Sequence, residues 1–259
     1  MLSVLEDEFG GKSFLVMGAT GGIGRRVCRL IGKRHGQVLV VGRDAAALAE
    51  LDRDVNRSAE GCTRRFVVDF ASTESTRACG AAVEHGECRL DGVVVIVPSV
   101  PKSAEDLPRD EDWRAALDLC FVNPLSVVRS TLKNVLDGGR IVIVSGIASV
   151  EVFPELPFSN VVRLAWLAEN KRLSFVLAPR GIRVNTLSLG GTLTERFAAR
   201  LARRSADDVP SRESPQNIPL GEYGDPDDAA YVVVSLLSKL SNHITGTNIA
   251  FDGGLTRSY

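Results

Sequence analysis

Short runs of apolar and β-branched residues alternate along the chain with longer segments of helical periodicity. The runs predict seven strands, at residues 14–18, 38–42, 65–69, 92–97, 139–145, 182–189 and 247–254. The segments between them predict helices at 22–34, 45–56, 72–85, 110–136, about 160–177 and 226–240. Strands that are apolar at nearly every position are buried on both faces, as in a parallel sheet. The pattern therefore predicts an α/β fold with a doubly wound, mostly parallel sheet of about seven strands flanked by helices.

The chain contains no linker or low-complexity segment, so residues 1–259 are predicted to form a single domain. One long irregular region runs from residue 190 to residue 223 and is rich in Arg, Ser, Pro and Asp. In a compact domain, a region of this kind is usually a flap that covers a ligand. The alternative interpretation is a short surface helix with a loop.

The composition argues against several classes of function. The formal net charge of -1 gives no general attraction to nucleic acid or to an anionic membrane. No apolar run is long enough to span a bilayer, and the acidic N-terminus does not match a secretory signal. The five cysteines show no C-x-x-C spacing, which predicts reduced thiols in a cytoplasmic protein. No metal site is expected, because the three histidines, His35, His85 and His243, lie in separate predicted loops.

A glycine-rich motif follows the first predicted strand. The sequence there is MGATGGIGRRV, in which Gly18, Gly22 and Gly24 follow the strand and open the next predicted helix. Glycines at these positions allow a tight turn and a close approach of the backbone to a pyrophosphate group. The helix N-terminus then offers free N–H groups and the positive end of its dipole. The motif therefore predicts a dinucleotide site.

The spacing G-x-x-x-G-I-G resembles that of the short-chain dehydrogenase/reductase family, and the similarity continues along the whole chain. LDGVVVIVP (90–98) stands where the family has a strand ending in Asn-Asn-Ala-Gly, DWRAALDLCFVNPL (112–125) resembles its fourth helix, and GRIVIVSG (139–146) its fifth strand. LAPRGIRVNTLSLGGTLTERF (177–197) resembles its Pro-Gly-x-x-x-Thr segment, and IPLGEYGDPDDAA (218–230) and HITGTNIAFDGG (243–254) its C-terminal signature. The resemblance implies a Rossmann-type fold and a nicotinamide cofactor.

The resemblance also implies which residues contact the cofactor: Gly18, Thr20, Gly22, Ile23, Gly24, Arg43, Asp69, Phe70, Val97, Arg163, Gly190, Thr192 and Thr194. Family members that bind NAD carry an acidic residue at the end of the second strand, where this chain has Gly42 followed by Arg43. Because a guanidinium binds phosphate oxygens with paired N–H donors, these two residues favour NADPH over NADH. Gly21 argues the other way, since many NADP-binding relatives are basic there. Asp69 matches the family residue that binds the adenine amino group, and its alternative role is a helix N-cap.

The catalytic residues of the family are missing from this chain. In the family, a Tyr donates the proton, a Lys lowers the pKa of that Tyr and binds the nicotinamide ribose, a Ser polarises the carbonyl, and an Asn holds a proton-relay water. The corresponding positions here are Ser159, Arg163, Gly146 and Cys120, with Asn123 three residues beyond the Asn position. A shift in the alignment does not restore the Tyr, because the tyrosines of the chain are Tyr223, Tyr231 and Tyr259.

Three residues remain as catalytic candidates: Ser159, Arg163 and Ser145. The aliphatic hydroxyl of Ser159 is far less acidic than a phenol, so it does not replace the Tyr unaided. Arg163 lies one helical turn from Ser159 and is predicted to place a fixed positive charge beside the nicotinamide ribose. Since a guanidinium keeps its proton at neutral pH, its role would be electrostatic and not proton exchange. Ser145 is an oxyanion-contact candidate, although it points to the opposite face of its strand from Gly146.

These departures predict an atypical NADPH-dependent reductase that transfers hydride to a carbonyl or to a conjugated enone or quinone-like small molecule, such as a secondary metabolite. Hydride addition to a conjugated C=C bond leaves a delocalised enolate, which needs less help from an acid than an alkoxide does. One alternative is a catalytically silent cofactor-binding subunit or sensor in a homodimer or homotetramer. Candidates for the interface are Leu164, Ala165, Trp166 and Leu173, and the other interpretation is that these apolar residues pack on the sheet. Another alternative is a non-redox enzyme that reuses the same pocket.

Overall fold

A computed structural model describes residues 8–55, 65–86, 88–103, 105–203 and 212–257. Cys62, Arg204 and Tyr259 lie outside these ranges. Within them, one sheet contains strands β1 to β7, in chain order Ser13–Met17, Gln37–Gly42, Arg65–Val67, Leu90–Ile96, Val135–Gly146, Arg183–Leu189 and Asn248–Phe251. The spatial order is β3-β2-β1-β4-β5-β6-β7, and neighbouring strands are parallel. The predicted doubly wound parallel sheet is confirmed.

Eight α-helices lie within the described residues. They are α1 to α8, in chain order Gly22–Gly32, Ala45–Val55, Thr73–Glu84, Asp110–Leu117, Asn123–Thr131, Pro157–Val176, Glu195–Leu201 and Pro226–Leu237. The prediction of one continuous helix over 110–136 is wrong. A π-helical turn, Asp118–Val122, separates α4 from α5, and β5 begins at Val135 because that residue pairs with Leu90 in the sheet. Sheet pairing thus overrides the helical pattern at the end of the segment.

Two layers of apolar side chains bury the two faces of the sheet. On one face, α3, α5 and α6 contribute Cys79, Val127 and Trp166, among others. On the other face, α1, α2 and α8 contribute residues such as Val27 and Leu48. Because the strands are parallel, their carboxyl ends all lie at one edge of the sheet. The direction in which successive strands are added to the sheet reverses between β1 and β4. In folds of this kind, that reversal is where a ligand binds.

Only some of the apolar residues of helix α6 that were considered for a subunit interface are exposed to solvent. Trp166 is 0% exposed and Leu173 is 3% exposed, and both belong to the core against the sheet. Leu164 lies on the opposite side of the helix and is 56% exposed. The interface prediction is therefore wrong for Trp166 and Leu173, because the helical period turns these residues towards the sheet.

The cysteines differ in their oxidation state. Cys28, Cys79 and Cys120 are free and buried, whereas Cys88 is disulfide-bonded. The expectation that all five thiols are reduced is therefore wrong for Cys88, because a spacing rule tests only cysteines that are close in sequence.

Among the described helices, none combines the length and apolarity needed to cross a bilayer. The cytoplasmic location stays a prediction.

Candidate functional site

The glycine-rich turn between β1 and α1 requires glycine for steric reasons. Gly18 has a φ of 76°, in the left-handed region, and a Cβ on this residue would lie 2.9 Å from Ile96 Cβ. A Cβ on Gly24 would lie 2.2 Å from the Gly18 carbonyl oxygen, so α1 packs directly against the turn. Gly21 is the N-cap of α1 and provides no side-chain cap. The uncapped helix N-terminus and the bare turn fit a pyrophosphate group.

The end of β2 is small and carries a basic residue. A Cβ on Gly42 would contact Leu48 Cδ2 at 3.3 Å and Thr20 Oγ1 at 3.4 Å. Arg43 is exposed, and it makes no hydrogen bond or ion pair within the described parts of the chain. The arrangement leaves a guanidinium available beside the position where the family's NAD-binding members carry a carboxylate.

The turn after β3 is held by a side chain from α5. Asn123 is buried, and its Nδ2 donates to the Phe70 carbonyl oxygen at 2.7 Å. Asp69 Oδ1 accepts from the Ala71 N–H at 3.0 Å. The N-cap of α3 is Ser72, which accepts from the Ser75 N–H, so the alternative role of Asp69 as the cap is excluded. Asn123, which is near the family Asn position in sequence, thus supports the turn that bears Asp69 and Phe70.

The other wall of the groove is formed by the ends of β4 and β6. Val97 is buried and donates its N–H to the Val144 carbonyl, and Gly190 donates its N–H to the Phe251 carbonyl. Thr192 Oγ1 donates to the Gly190 carbonyl at 3.1 Å, and Thr194 caps α7. A Cβ on Gly22 would lie 2.8 Å from Thr194 Cβ, so this wall meets the glycine-rich turn. Ile23 is 5% exposed and packs in the core, so only its backbone faces this region.

The predicted flap, residues 190–203 and 212–223, contains the short exposed helix α7 and contacts segments on both sides of the groove. Arg196 donates from Nη1 to Ser99 Oγ, which connects α7 to the segment after β4. Glu195 pairs with Arg26 at 2.9 Å, which fixes the same helix to α1. The Phe197 ring packs edge-on against Tyr223, inside the flap. Arg196, and not Phe197, is therefore the flap side chain that reaches across the groove.

The structure brings Arg163 and Ser159 together against the end of β5. Arg163 Nε donates to Ser159 Oγ at 2.8 Å. A Cβ on Gly146 would lie 2.6 Å from Arg163 Nη1 and 2.7 Å from its Cζ. The guanidinium thus fills the space that a side chain at position 146 would need. Ser145 is buried, and its Oγ has no hydrogen-bond partner among the described residues. Because neighbouring residues of a strand point to opposite faces, Ser145 does not share this contact.

The family Asn position offers no water-binding group in this chain. Cys120 lies in the π-helical turn, with its Sγ 3.8 Å from the Ser99 carbonyl oxygen. Its own carbonyl accepts from Trp166 Nε1 at 2.8 Å. Burial raises the pKa of the Cys120 thiol to about 11, although the charge of Arg163 opposes this shift. The position is closed by packing, not arranged as a proton relay.

The charge of an acidic residue of the flap, Glu213, acts on Arg163. Desolvation lowers the pKa of Arg163, and the charge of Glu213 acts in the opposite direction. Desolvation raises the pKa of Glu213, in spite of the charges of Arg200 and Arg163. Sequence reasoning missed Glu213 because it lies 50 residues beyond Arg163, in the irregular region. The sequence signal that could have pointed to Glu213 is the presence of an acidic residue within the predicted flap.

The parallel sheet, the glycine-rich turn at its switch point and the walls around it define a dinucleotide-binding oxidoreductase. Residues 18–256 match the family model described as enoyl-(acyl carrier protein) reductase. The chain belongs to the short-chain dehydrogenase/reductase family. Its cofactor class is accordingly a nicotinamide dinucleotide.

Known proteins of this family are similar over nearly the whole chain. The 3-oxoacyl-[acyl-carrier-protein] reductase FabG of Rickettsia conorii is 26% identical over 247 residues, which cover 95% of this chain and 97% of that protein. YwfH, an NADPH-dependent reductase involved in bacilysin biosynthesis, has a TM-score of 0.85 at 22% identity, over 96% of this chain and 99% of its own. A short-chain oxidoreductase from Pseudomonas aeruginosa PAO1, described as containing an atypical catalytic center, has a TM-score of 0.84 at 24% identity, over 97% and 100%. The two structures support the fold.

Proposed function

We propose that this protein is an atypical NADPH-dependent reductase that acts on a carbonyl or on a conjugated enone or quinone-like small molecule. The observation that carries the proposal is the Arg163 guanidinium, which is held by Ser159 against Gly146. A bound nicotinamide dinucleotide would supply the hydride. The residues proposed to hold it are Gly18, Thr20, Gly22, Ile23, Gly24, Arg43, Asp69, Phe70, Val97, Gly190, Thr192 and Thr194.

Arg163 stabilises negative charge on the substrate oxygen. Its guanidinium occupies the place where the family has the side chain that polarises the carbonyl. A charge fixed in advance, at a partly buried site, stabilises a developing oxyanion more than mobile water does. Ser159 orients the guanidinium by accepting from its Nε. Ser145 has no part in this arrangement, since its side chain points away from it.

The preference for conjugated acceptors follows from the same residues. Arg163 stabilises an oxyanion but donates no proton at neutral pH. The enolate left by a conjugated acceptor spreads its charge, so it persists longer than an alkoxide before it needs a proton. Enones and quinone-like molecules therefore suit this site better than simple ketones.

The choice of NADPH rests on Gly42 and Arg43. The small residue leaves room for a 2′-phosphate, and the exposed guanidinium after it has N–H donors to offer.

Cytoplasmic location and homodimer or homotetramer formation are also proposed. Two exposed apolar residues of α6, Val161 and Leu164, support an interface on that helix.

A specific contact favours the second candidate function, a catalytically silent subunit or sensor. Arg196 reaches Ser99 across the groove in which the reactive end of the cofactor would lie. If this contact persists with cofactor bound, it excludes substrate. The reductase needs the Arg196 side chain to move aside.

The test is incubation of the purified protein with NADPH and a panel of simple ketones, enones and quinones, with cofactor oxidation followed by absorbance. We expect Arg163→Met to lower kcat about 100- to 1000-fold, by loss of oxyanion stabilisation. Ser159→Ala should lower kcat less than about tenfold, because Ser159 only orients the Arg163 guanidinium, which remains in the variant. Arg172→Met is the matched control, since Arg172 lies exposed on the same helix and pairs with Glu169. Failure to bind NADPH or NADH, or full activity in Arg163→Met, would contradict the proposal.

A further inference from the structure

We infer that Glu213 is the acid that protonates the reduced substrate. The inference rests on the proposed function and supplies what it lacks, a proton donor. Ser159 is an aliphatic alcohol, Arg163 keeps its proton, and the family Asn position is closed by Cys120 and Trp166.

The backbone of Glu213 is held between the two segments that carry the site. Its neighbour Arg212 donates to the Val152 carbonyl and to Glu151 Oε1, each at 2.9 Å, in the connection between β5 and α6. The same guanidinium lies 5.5 Å from the centre of the Phe153 ring. On the other side, a Cβ on Gly191 would lie 3.3 Å from the Glu213 carbonyl oxygen. Glu213 is thus fixed beside the loops that follow Gly146 and Gly190.

The carboxyl group of Glu213 lies beside Arg200 of α7. Its side chain is 22% exposed, and its Oε2 lies 3.9 Å from Arg200 Nη2. Arg200 is itself packed on the Phe197 ring, 4.6 Å from the ring centre. This position is partly desolvated but retains a path to water.

Four charged groups from different segments act on this carboxyl group. Arg200 of α7, Arg163 of α6 and Lys102 after β4 favour the carboxylate, whereas Glu155 before α6 opposes it. Desolvation is larger than any of these contributions and raises the pKa of Glu213 above 4.5. Glu213 therefore holds its proton to a higher pH than an exposed glutamate, as a general acid needs.

The remaining acids near the site are less suitable. Glu155 is exposed, so water stabilises its carboxylate. Cys120 is 0% exposed, and a thiol without access to water cannot regain its proton between turnovers. Tyr223 packs against Phe197 within the flap and has Gly191 beneath its ring. Glu213 alone among these groups combines partial burial, access to water and charge coupling to Arg163.

The reaction balances with one proton from Glu213. Each turnover transfers one hydride from the reduced dinucleotide, which becomes the oxidised form, and one proton from the Glu213 carboxyl group. A ketone gains a C–H and an O–H bond and loses its C=O π bond, whereas an enone gains two C–H bonds and loses its C=C π bond. The Glu213 carboxylate then takes a proton from water. Arg163 supplies the fixed charge, and Glu213 supplies the proton.

The test compares Glu213→Gln and Glu213→Asp with the matched control Glu222→Gln, an exposed glutamate of the same flap. With an acceptor that the wild-type protein reduces, we expect Glu213→Gln to lower kcat by at least about a hundredfold. Glu213→Asp should keep part of the rate, and Glu222→Gln should keep all of it. NADPH affinity should not change in any variant.

A second readout does not depend on turnover. In protein labelled with carbon-13 at the glutamate carboxyls, the NMR signal that disappears in Glu213→Gln should titrate at higher pH than those of exposed glutamates. A signal that titrates at or below their pH would overturn the inference even if Glu213→Gln folds poorly. If Glu213→Gln turns over within about threefold of the wild-type rate, the inference about Glu213 is overturned as well. The reductase proposal would then still stand. If the wild-type protein binds NADPH but reduces nothing, both proposals fail.

Discussion

Replacing Gly146 with alanine places a methyl group where the Arg163 guanidinium now lies. The new Cβ would stand 2.6 Å from Nη1 and 2.7 Å from Cζ, whereas ordinary contacts begin at 3.4 Å. The backbone itself accepts alanine, since Gly146 has an extended conformation with φ -151° and ψ 162°. Any cost therefore comes from the displaced guanidinium.

The size of that cost follows from the hydrogen bond that must lengthen. To restore a contact of 3.4 Å, the guanidinium retreats by the difference from 2.6 Å, about 0.8 Å. The 2.8 Å bond from its Nε to Ser159 Oγ then stretches to about 3.6 Å, too long for a hydrogen bond. A hydrogen bond to a charged group contributes about 1.5–3 kcal/mol, and the released guanidinium regains part of this from water. We expect Gly146→Ala to lower the free energy of unfolding by about 1–2 kcal/mol.

Urea denaturation of four proteins measures this effect: wild type, Gly146→Ala, Arg163→Ala and the double variant. In the Arg163→Ala background the guanidinium is absent, so Gly146→Ala should cost nothing or stabilise slightly by restricting the unfolded chain. The coupling energy of the cycle should therefore equal most of the cost in the wild type. An equal cost in both backgrounds, or a change below about 0.5 kcal/mol in the wild type, would refute the reasoning.

Two further predictions concern the cofactor and pH. Arg43→Asp should weaken NADPH binding by about 1–3 kcal/mol and leave NADH binding nearly unchanged, as measured by nicotinamide fluorescence, with exposed Arg114→Asp as the control; equal weakening of both cofactors would exclude a contact with the 2′-phosphate. Because the pKa of Glu213 is raised in the folded state, its contribution to stability is complete below the unfolded value, near 4.5, and is lost as pH rises through the folded value. The stability of Glu213→Gln relative to the wild type should thus increase with pH between the unfolded and the folded pKa values and stay level above the folded value in urea titrations. A decrease would show that the charges of Arg200 and Arg163 dominate.

Much of the fold could be predicted from local patterns. The run VLVVG at 38–42 falls within β2, and helix α2 begins at the predicted Ala45. These elements follow from hydrophobic periodicity, which each segment carries in its own residues. The prediction of one helix over 110–136 is wrong because the apolar pattern stays helical where the chain forms a π-helical turn and then enters the sheet. Such boundaries depend on partners from elsewhere in the chain.

The sequence by itself was enough to predict the family, a dinucleotide-binding turn and a serine, Ser159, where the resemblance implies a Tyr, because each depends on which residue stands at a fixed distance along the chain. Only the tertiary structure decided that the Arg163 guanidinium fills the space beside Gly146, and that Glu213 lies close enough for its charge to act on Arg163. Position 146 is 17 residues from Arg163, and Glu213 is 50 residues from it. Their meeting depends on how strands and helices pack at the carboxyl edge of the sheet, and no local pattern encodes a contact between segments so far apart.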